Sequence, residues 1–248
     1  MFKATLSNTD LLKNSISVIS EILDEGTFKV DANGISLVSP DRTMVAVVDF
    51  RLLSTAFDEF VVESPVDLGM NIQNFMSVLK RVKGADKLTL QSTGKGKLEI
   101  IVEKDGKRKF ELPLLDINSE KPPIDQLAFS GKIHMDSSVF EEGIEDASVV
   151  SDSIVMEAGP DSFKLSAKGD ISTAQLEMKK GDNGILSIEA QQNIRARYPI
   201  DYLKKMIKAC KLSKQTTLEF GTDYPLRISL KDIDKVHLNF ILAPRVEE

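Results

Sequence analysis

The chain has a single cysteine, two histidines and no surplus of positive charge. Cys210 stands alone, so no disulfide can form within the chain, and a reducing compartment is the easier fit. His134 and His237 are far apart in sequence, each inside a strand pattern. A lone strand histidine is most often structural or exposed, so neither suggests a metal centre or a proton relay. No apolar run reaches membrane-spanning length. The opening Met1-Phe2-Lys3-Ala4-Thr5-Leu6 has no charged-then-apolar leader. The reading is a soluble, intracellular protein.

Catalytic signatures are missing as well. No serine sits in a Gly-x-Ser-x-Gly elbow. Gly94-Lys95-Gly96-Lys97 lacks the spacing of a phosphate loop and leads into a strand, so it reads as a hairpin turn. Asp31, Asp41 and Asp49 are scattered, with no metal-ligand grouping. Cys210 falls on an apolar helical stripe, which favours a core residue over a nucleophile. Nothing argues for an enzyme, a cofactor or a bound metal. The 32 basic residues are outnumbered by 38 acidic ones, a formal charge of −6. Bulk attraction to nucleic acid is therefore absent, and any phosphate contact must come from local clustering.

What is present is a repeating plan in 248 residues, enough for one large or two ordinary domains. Phe2, Ala4 and Leu6 alternate with polar residues as a half-buried strand. Asn8-Thr9-Asp10 offers capping chemistry for a helix with Leu12, Ile16, Ile19 and Leu23 on one side. Residues 28–37 read as a hairpin about Asn33-Gly34, and Val45 to Phe50 as a further strand. The plan returns with the strand Val66 to Met70 and a helix capped by Asn71 that buries Ile72, Phe75, Met76 and Leu79. Strands follow at 88–91, 98–103 and 108–112. Residues 115–126, with Pro122-Pro123 and no clean period, read as an extended linker. In the third quarter a strand, 129–135, precedes a helix carrying Phe140, Ile144 and Ala147, then strands at 153–158, 163–167 and 173–178. The fourth quarter has a strand ending near Arg197, a helix from Pro199 to Lys211, and strands at 217–220, 226–230 and 237–242. Four helices amid many strands, at a period of roughly 60 residues, predict an α+β fold. In it, two similar domains (1–114 and 127–248) each hold a twofold repeat, with helices on one side of antiparallel sheets.

The fourth helix is the clearest binding signal. Leu203, Met206, Ile207 and Cys210 form its apolar stripe, and Lys204, Lys205, Lys208 and Lys211 lie opposite. A lysine face is also what any solvated helix shows. Its recurrence as Lys13, and as Lys80, Arg81 and Lys83, strengthens a binding reading. No aromatics interleave these cations, so base stacking is not suggested, and loose phosphate contact is.

Several segments resemble the proliferating cell nuclear antigen family of DNA sliding clamps, closest to archaeal members. They are Ser39-Pro40-Asp41-Arg42-Thr43-Met44-Val45, Phe110 to Ile117, Asp223-Tyr224-Pro225-Leu226, and the tail Leu238 to Glu248 with its Leu242-Ala243-Pro244-Arg245. The resemblance implies the DNA clamp fold and a non-enzymatic processivity factor. Three subunits, here expected as a homotrimer, would close a ring around duplex DNA without reading its sequence. It implies DNA polymerase, clamp loader, flap endonuclease and ligase as partners, and a cytoplasmic, nucleoid-associated place in an archaeal cell or a nuclear one in a eukaryote. It sets Lys13, Lys80, Arg81, Lys83, Lys204, Lys205, Lys208 and Lys211 toward the DNA. It makes a partner-peptide pocket of Met44, Val45, Val47, Ile124, Pro225, Leu242, Ala243, Pro244, Arg245 and Val246. By the same resemblance 115–126 is the interdomain connecting loop. Edge strands would join subunits through Lys107, Arg108, Lys109, Phe110 and Glu111 on one side, and Ala174, Gln175, Leu176, Glu177 and Met178 on the other. The third helix departs from the family in carrying Glu141, Glu142, Glu145 and Asp146. Either that part of the bore is acidic, or these side chains pair with lysines. The alternative function is an interaction scaffold of the same fold that does not encircle DNA.

Overall fold

The computed structural model describes residues 1–84, 86–92, 94, 96–117 and 122–246. The elements run β1 (Phe2–Leu6), α1 (Asp10–Ile19), β2 (Glu25–Asp31), β3 (Gly34–Pro40), β4 (Ala46–Leu53), β5 (Glu59–Val62), β6 (Val66–Asn71), α2 (Ile72–Leu79), β7 (Lys87–Ser92), β8 (Lys97–Glu103) and β9 (Lys107–Pro113). They continue with β10 (Gly131–Asp136), α3 (Ser137–Val150), β11 (Ser153–Ala158), β12 (Ser162–Lys168), β13 (Thr173–Lys179), β14 (Ile185–Ala190), β15 (Ile194–Pro199), α4 (Ile200–Met206), β16 (Gln215–Phe220), β17 (Leu226–Asp232) and β18 (Val236–Leu242). Strand, helix, then several strands recurs four times, as the sequence pattern predicts.

The chain forms two compact units. The first takes Met1–Arg42, Val48–Pro122 and Asp232–Leu238; the second takes Thr43–Val47, Pro123–Lys231 and Asn239–Glu248. In the first, one antiparallel sheet has the order β5-β1-β7-β8-β9, and β4-β3-β2-β6 run side by side in another. Its core gathers Leu12, Ile16 and Ile19 of α1 with Ile72, Phe75 and Leu79 of α2. Phe28 meets Phe50 and Phe75 edge-on, with ring centroids 6.5 and 6.3 Å apart. In the second, β13-β12-β11-β15 form one sheet and β14-β10-β16-β17-β18 run side by side in another. Phe140 and Ile144 of α3 and Leu203 and Met206 of α4 fill its core.

Local chemistry accounts for much of this. Asn71 accepts the Asn74 N–H at 2.8 Å and so starts α2. The first hairpin differs slightly from the expected one. Its two loop residues are Ala32 and Asn33, and Gly34 opens β3 with φ +139°. Asp31 Oδ1 accepts the Asn33 N–H at 2.7 Å and makes the turn. A Cβ on Gly34 would stand 2.1 Å from the Leu52 carbonyl oxygen, so only glycine fits.

The expected fourth helix is also shorter. After Met206 the chain tightens into a 3-10 turn, Ile207–Leu212. That stretch buries Ile207, Ala209, Cys210 and Leu212, more than one α-helical stripe can hold. Two strands carry little signal in the sequence. β5 is a four-residue edge, and β14 pairs with β10 through a register shift between His134 and Met135. Gly94 and Gly96 lie between the paired strands β7 and β8, Lys95 being outside the described residues.

Candidate nucleic-acid and peptide interfaces

The cations of the fourth repeat stand as the helical pattern sets them. Lys204, Lys208 and Lys211 are exposed, while Leu203, Met206, Ile207 and Cys210 are buried beneath them. Lys205 is half-buried, its ammonium 5.3 Å from the Tyr202 ring centroid, which is cation–π range. In the first unit the distribution is less even. Lys80 and Arg81 follow α2 directly and are exposed, as is Lys83. Lys13 is half-buried and donates to the Val82 carbonyl at 2.8 Å. It holds the end of α2 to α1, so its charge is fixed in place.

On α3, Glu142, Glu145 and Asp146 are exposed and Glu141 is half-buried. Among the described residues no ion pair joins any of these four to a lysine or arginine. The pairing alternative for this helix finds no partner within its own unit.

The residues expected in a peptide pocket all fall within the second unit. β18 ends at Leu242, which is fully buried. Beyond it the tail runs as a strap. Ala243 donates its N–H to the Val45 carbonyl at 2.9 Å, and Arg245 donates its N–H to the Arg197 carbonyl at 2.7 Å. Pro244 between them has no N–H to place. The Arg245 guanidinium reaches Asp152 Oδ2 at 2.8 Å and holds that carboxyl below its usual range.

Around the strap, Met44 is 71% exposed and takes φ +60°. A non-glycine residue in that region, holding an apolar side chain into solvent, is a costly arrangement of the kind found at binding sites. Val45, Val47, Pro225, Ala243 and Pro244 are half-buried, and Val246 is 80% exposed. Ile124 is different. It is buried within a 3-10 turn, Ile124–Gln126, and its carbonyl accepts from Arg227 at 3.0 Å. Arg227 stacks on Phe129, which meets Tyr224 edge-on. Ile124 therefore anchors the segment beside the expected pocket. The expected connecting segment begins with Leu115 donating to the Gly69 carbonyl at 2.7 Å, and its residues 118–121 lie outside those described.

The strands expected to join subunits are both sheet edges. Among the described residues β9 pairs only with β8, and β13 only with β12. On β9, Lys109 bridges Glu99 and Glu111 at 2.9 and 3.0 Å, and Lys97 reaches Glu111 at 2.9 Å. These cations offset the repulsion of Glu99 and Glu111, which sit directly opposite each other. Lys107 lies 3.6 Å from Glu103. Arg108 turns inward to Asp86, which sequence reasoning missed because nothing local links residues so far apart. Phe110 and Leu112 on β9, and Ala174 and Leu176 on β13, are apolar and only half-buried.

No grouping of three or more His, Cys, Asp and Glu side chains able to hold a metal occurs among the described residues. None of their helices is long and apolar enough to cross a membrane.

Comparison with known proteins agrees over the whole length. Residues 1–121 match the family model for the proliferating cell nuclear antigen N-terminal domain, and residues 123–245 match that for its C-terminal domain. A DNA polymerase sliding clamp of Thermococcus gammatolerans is 36% identical over 94% of each chain. DNA polymerase sliding clamp 1 of Thermococcus kodakarensis is 33% identical over 100% of this chain and 99% of its own. The crystal structure of PCNA from Thermococcus kodakaraensis superposes with a TM-score of 0.91 at 27% identity, covering 99% of this chain and 100% of that one.

Proposed function

Since the chain belongs to the proliferating cell nuclear antigen family of DNA polymerase sliding clamps, we propose that three copies close into a ring around duplex DNA. The observation that carries this is the pair of open edges, β9 in one unit and β13 in the other. Unpaired edges with half-buried apolar residues invite a further strand. Pairing β9 of one copy with β13 of the next is a head-to-tail contact, and such contacts close into rings when the rotation permits. Residues 1–114 and 127–248 are then the two clamp domains, joined by the loop 115–126.

Lys80, Arg81, Lys83, Lys204, Lys208 and Lys211 are the exposed cations we assign to the duplex, with Lys13 and Lys205 adding charge from fixed positions. Their contacts are with phosphate, few and independent of sequence, so the ring slides while its closure keeps it on the DNA. The strap 243–246, with Met44, Val45, Val47 and Pro225, forms the site for a partner peptide. Its extended backbone and apolar walls suit an added strand with a hydrophobic plug. Polymerase, clamp loader, flap endonuclease and ligase are the partners expected there. The role is that of a non-enzymatic tether, working in an archaeal cell at the nucleoid.

Light scattering on a sizing column tests the ring. A mass three times that of the 27.4 kDa chain is expected. A monomer at all concentrations overturns closure, and would leave an interaction scaffold that does not encircle DNA.

A further inference from the structure

The turn that ends in Pro225 takes a shape it does not hold by itself. Asp223 stands at φ +49°, a left-handed backbone that a non-glycine residue adopts at a cost. Proline fixes its own φ and biases Tyr224 before it toward extended backbone. The place of Pro225 is therefore set by how the turn is tied down. Among the described residues three hydrogen bonds tie it to one strand, β15. Asp223 donates its N–H to the Arg195 carbonyl at 3.0 Å. Arg195 donates its N–H to Thr222 Oγ1 at 3.4 Å. The Tyr198 hydroxyl donates to the Tyr224 carbonyl at 2.7 Å and is the shortest of the three.

Tyr198 itself is fully buried. Burial first, and the Asp223 charge after it, push its pKa up, so the phenol remains a donor at any working pH. A phenylalanine would fill the same space without a polar atom to satisfy, so the hydroxyl is there for the Tyr224 carbonyl. The residue before it, Arg197, accepts the Arg245 N–H of the strap at 2.7 Å through its carbonyl. Neighbouring residues of one strand thus carry both the Pro225 turn and the strap. Tyr224 also meets Phe129 edge-on, with ring centroids 5.8 Å apart. Phe129 lies against Arg227, whose guanidinium holds the Ile124 carbonyl. The tie at Tyr224 reaches that segment as well.

We propose that Tyr198 is a positioning residue for partner peptides, its hydroxyl fixing the wall at Pro225 to the strand that anchors the strap. The proposal rests on the peptide site assigned above to the strap, Met44, Val45, Val47 and Pro225. Being buried, Tyr198 acts through Tyr224 and Pro225 and not by contact with the peptide. A peptide that meets a preformed wall is spared the cost of ordering it. A loosened wall lowers apparent affinity by the fraction of chains that hold it correctly.

The test is Tyr198→Phe, which removes the hydroxyl and keeps the ring. Fluorescence anisotropy with a labelled synthetic peptide of about a dozen residues, bearing a leucine–phenylalanine plug, reads the site. Affinity should fall about tenfold. Ile144→Val, which trims the core on α3, is the control. It should lower the melting temperature comparably and leave affinity unchanged. Pro225→Ala should weaken binding too, and the double variant should lose less than the product of the two effects, because both act through one wall. Hydrogen exchange reads the tie without a peptide. The Asp223 N–H should exchange about tenfold faster in Tyr198→Phe than in wild type, and not in Ile144→Val. A folded Tyr198→Phe chain with wild-type affinity overturns the inference and leaves the peptide site standing. So does a loss that Ile144→Val matches, a fully multiplicative double variant, or an unchanged Asp223 exchange rate. A Tyr198→Phe chain that does not fold makes the hydroxyl a tie of the whole unit, and overturns it equally. A wild-type chain that fails to bind the peptide overturns the site itself, and the inference with it.

Discussion

Arg108 on an edge strand donates to Asp86 at 2.7 Å, and the Asp86 side chain is 2% exposed. The Lys83 backbone N–H first, and the arginine after it, hold this carboxyl below its ordinary value of 3.8, against the opposing effect of burial. A depressed carboxyl pKa means that the folded state favours the ionised form. Its stabilisation is complete above the ordinary range and is lost as pH falls toward the lowered value. Arg108→Ala leaves Asp86 without its cation, and Asp86→Asn removes the charge. Thermal unfolding between pH 3 and 7 should show a shallower acid-side loss for Asp86→Asn than for wild type. Parallel curves would refute the linkage.

The lysine face predicts a salt signature. Lys80→Ala, Lys204→Ala and Lys208→Ala together should weaken polymerase stimulation at moderate salt while leaving the trimer intact. Each phosphate that is no longer neutralised lowers the slope of log K against log salt by about 0.9. Measuring equilibrium binding to short linear duplex with open ends, against salt, checks this. An unchanged slope would place the duplex elsewhere.

The tail predicts a separable binding defect. Ending the chain after Leu242 removes the strap but leaves β18 whole. Partner-peptide affinity should fall about tenfold or more, equivalent to about 1.4 kcal/mol, by calorimetry. The oligomer should hold, and its melting temperature should fall only slightly as the Ala243 and Arg245 contacts are lost. Full affinity in the truncated chain would remove the strap from the site.

Cys210 predicts an inert thiol. Burial first, then the Glu141 charge, push its pKa up to about 12. A thiol reagent at pH 8 should leave it unmodified until denaturant is added. Rapid labelling of the folded chain would contradict that burial.

Leu203 predicts the cost of a core deletion. It is fully buried on α4, beneath the lysine face. Leu203→Ala should cost about 2–5 kcal/mol by denaturant unfolding, with the spread set by how far the cavity relaxes. A change near zero would mean that α4 is not seated as described.

Periodic features were legible from residues alone. Leu12, Ile16 and Ile19, or Leu203, Met206 and Ile207, mark a buried stripe whatever lies opposite, because the 3.6-residue repeat is a property of the local backbone. The same holds for alternation in strands such as Ser153–Ala158, for the Asn71 cap, and for the lysines displayed opposite the α4 stripe. Tertiary structure alone decided which charges are committed. Lys13 spends its donor on the Val82 carbonyl and Arg108 turns to Asp86, while Glu142 and its neighbours find no cation within their unit. It also made Ile124 an anchor, tied Ala243 to Val45, and left β9 and β13 as edges. Each depends on residues tens to hundreds of positions apart. Such pairings form only when the chain closes long loops and strands find their register, and no short-range periodicity encodes that outcome.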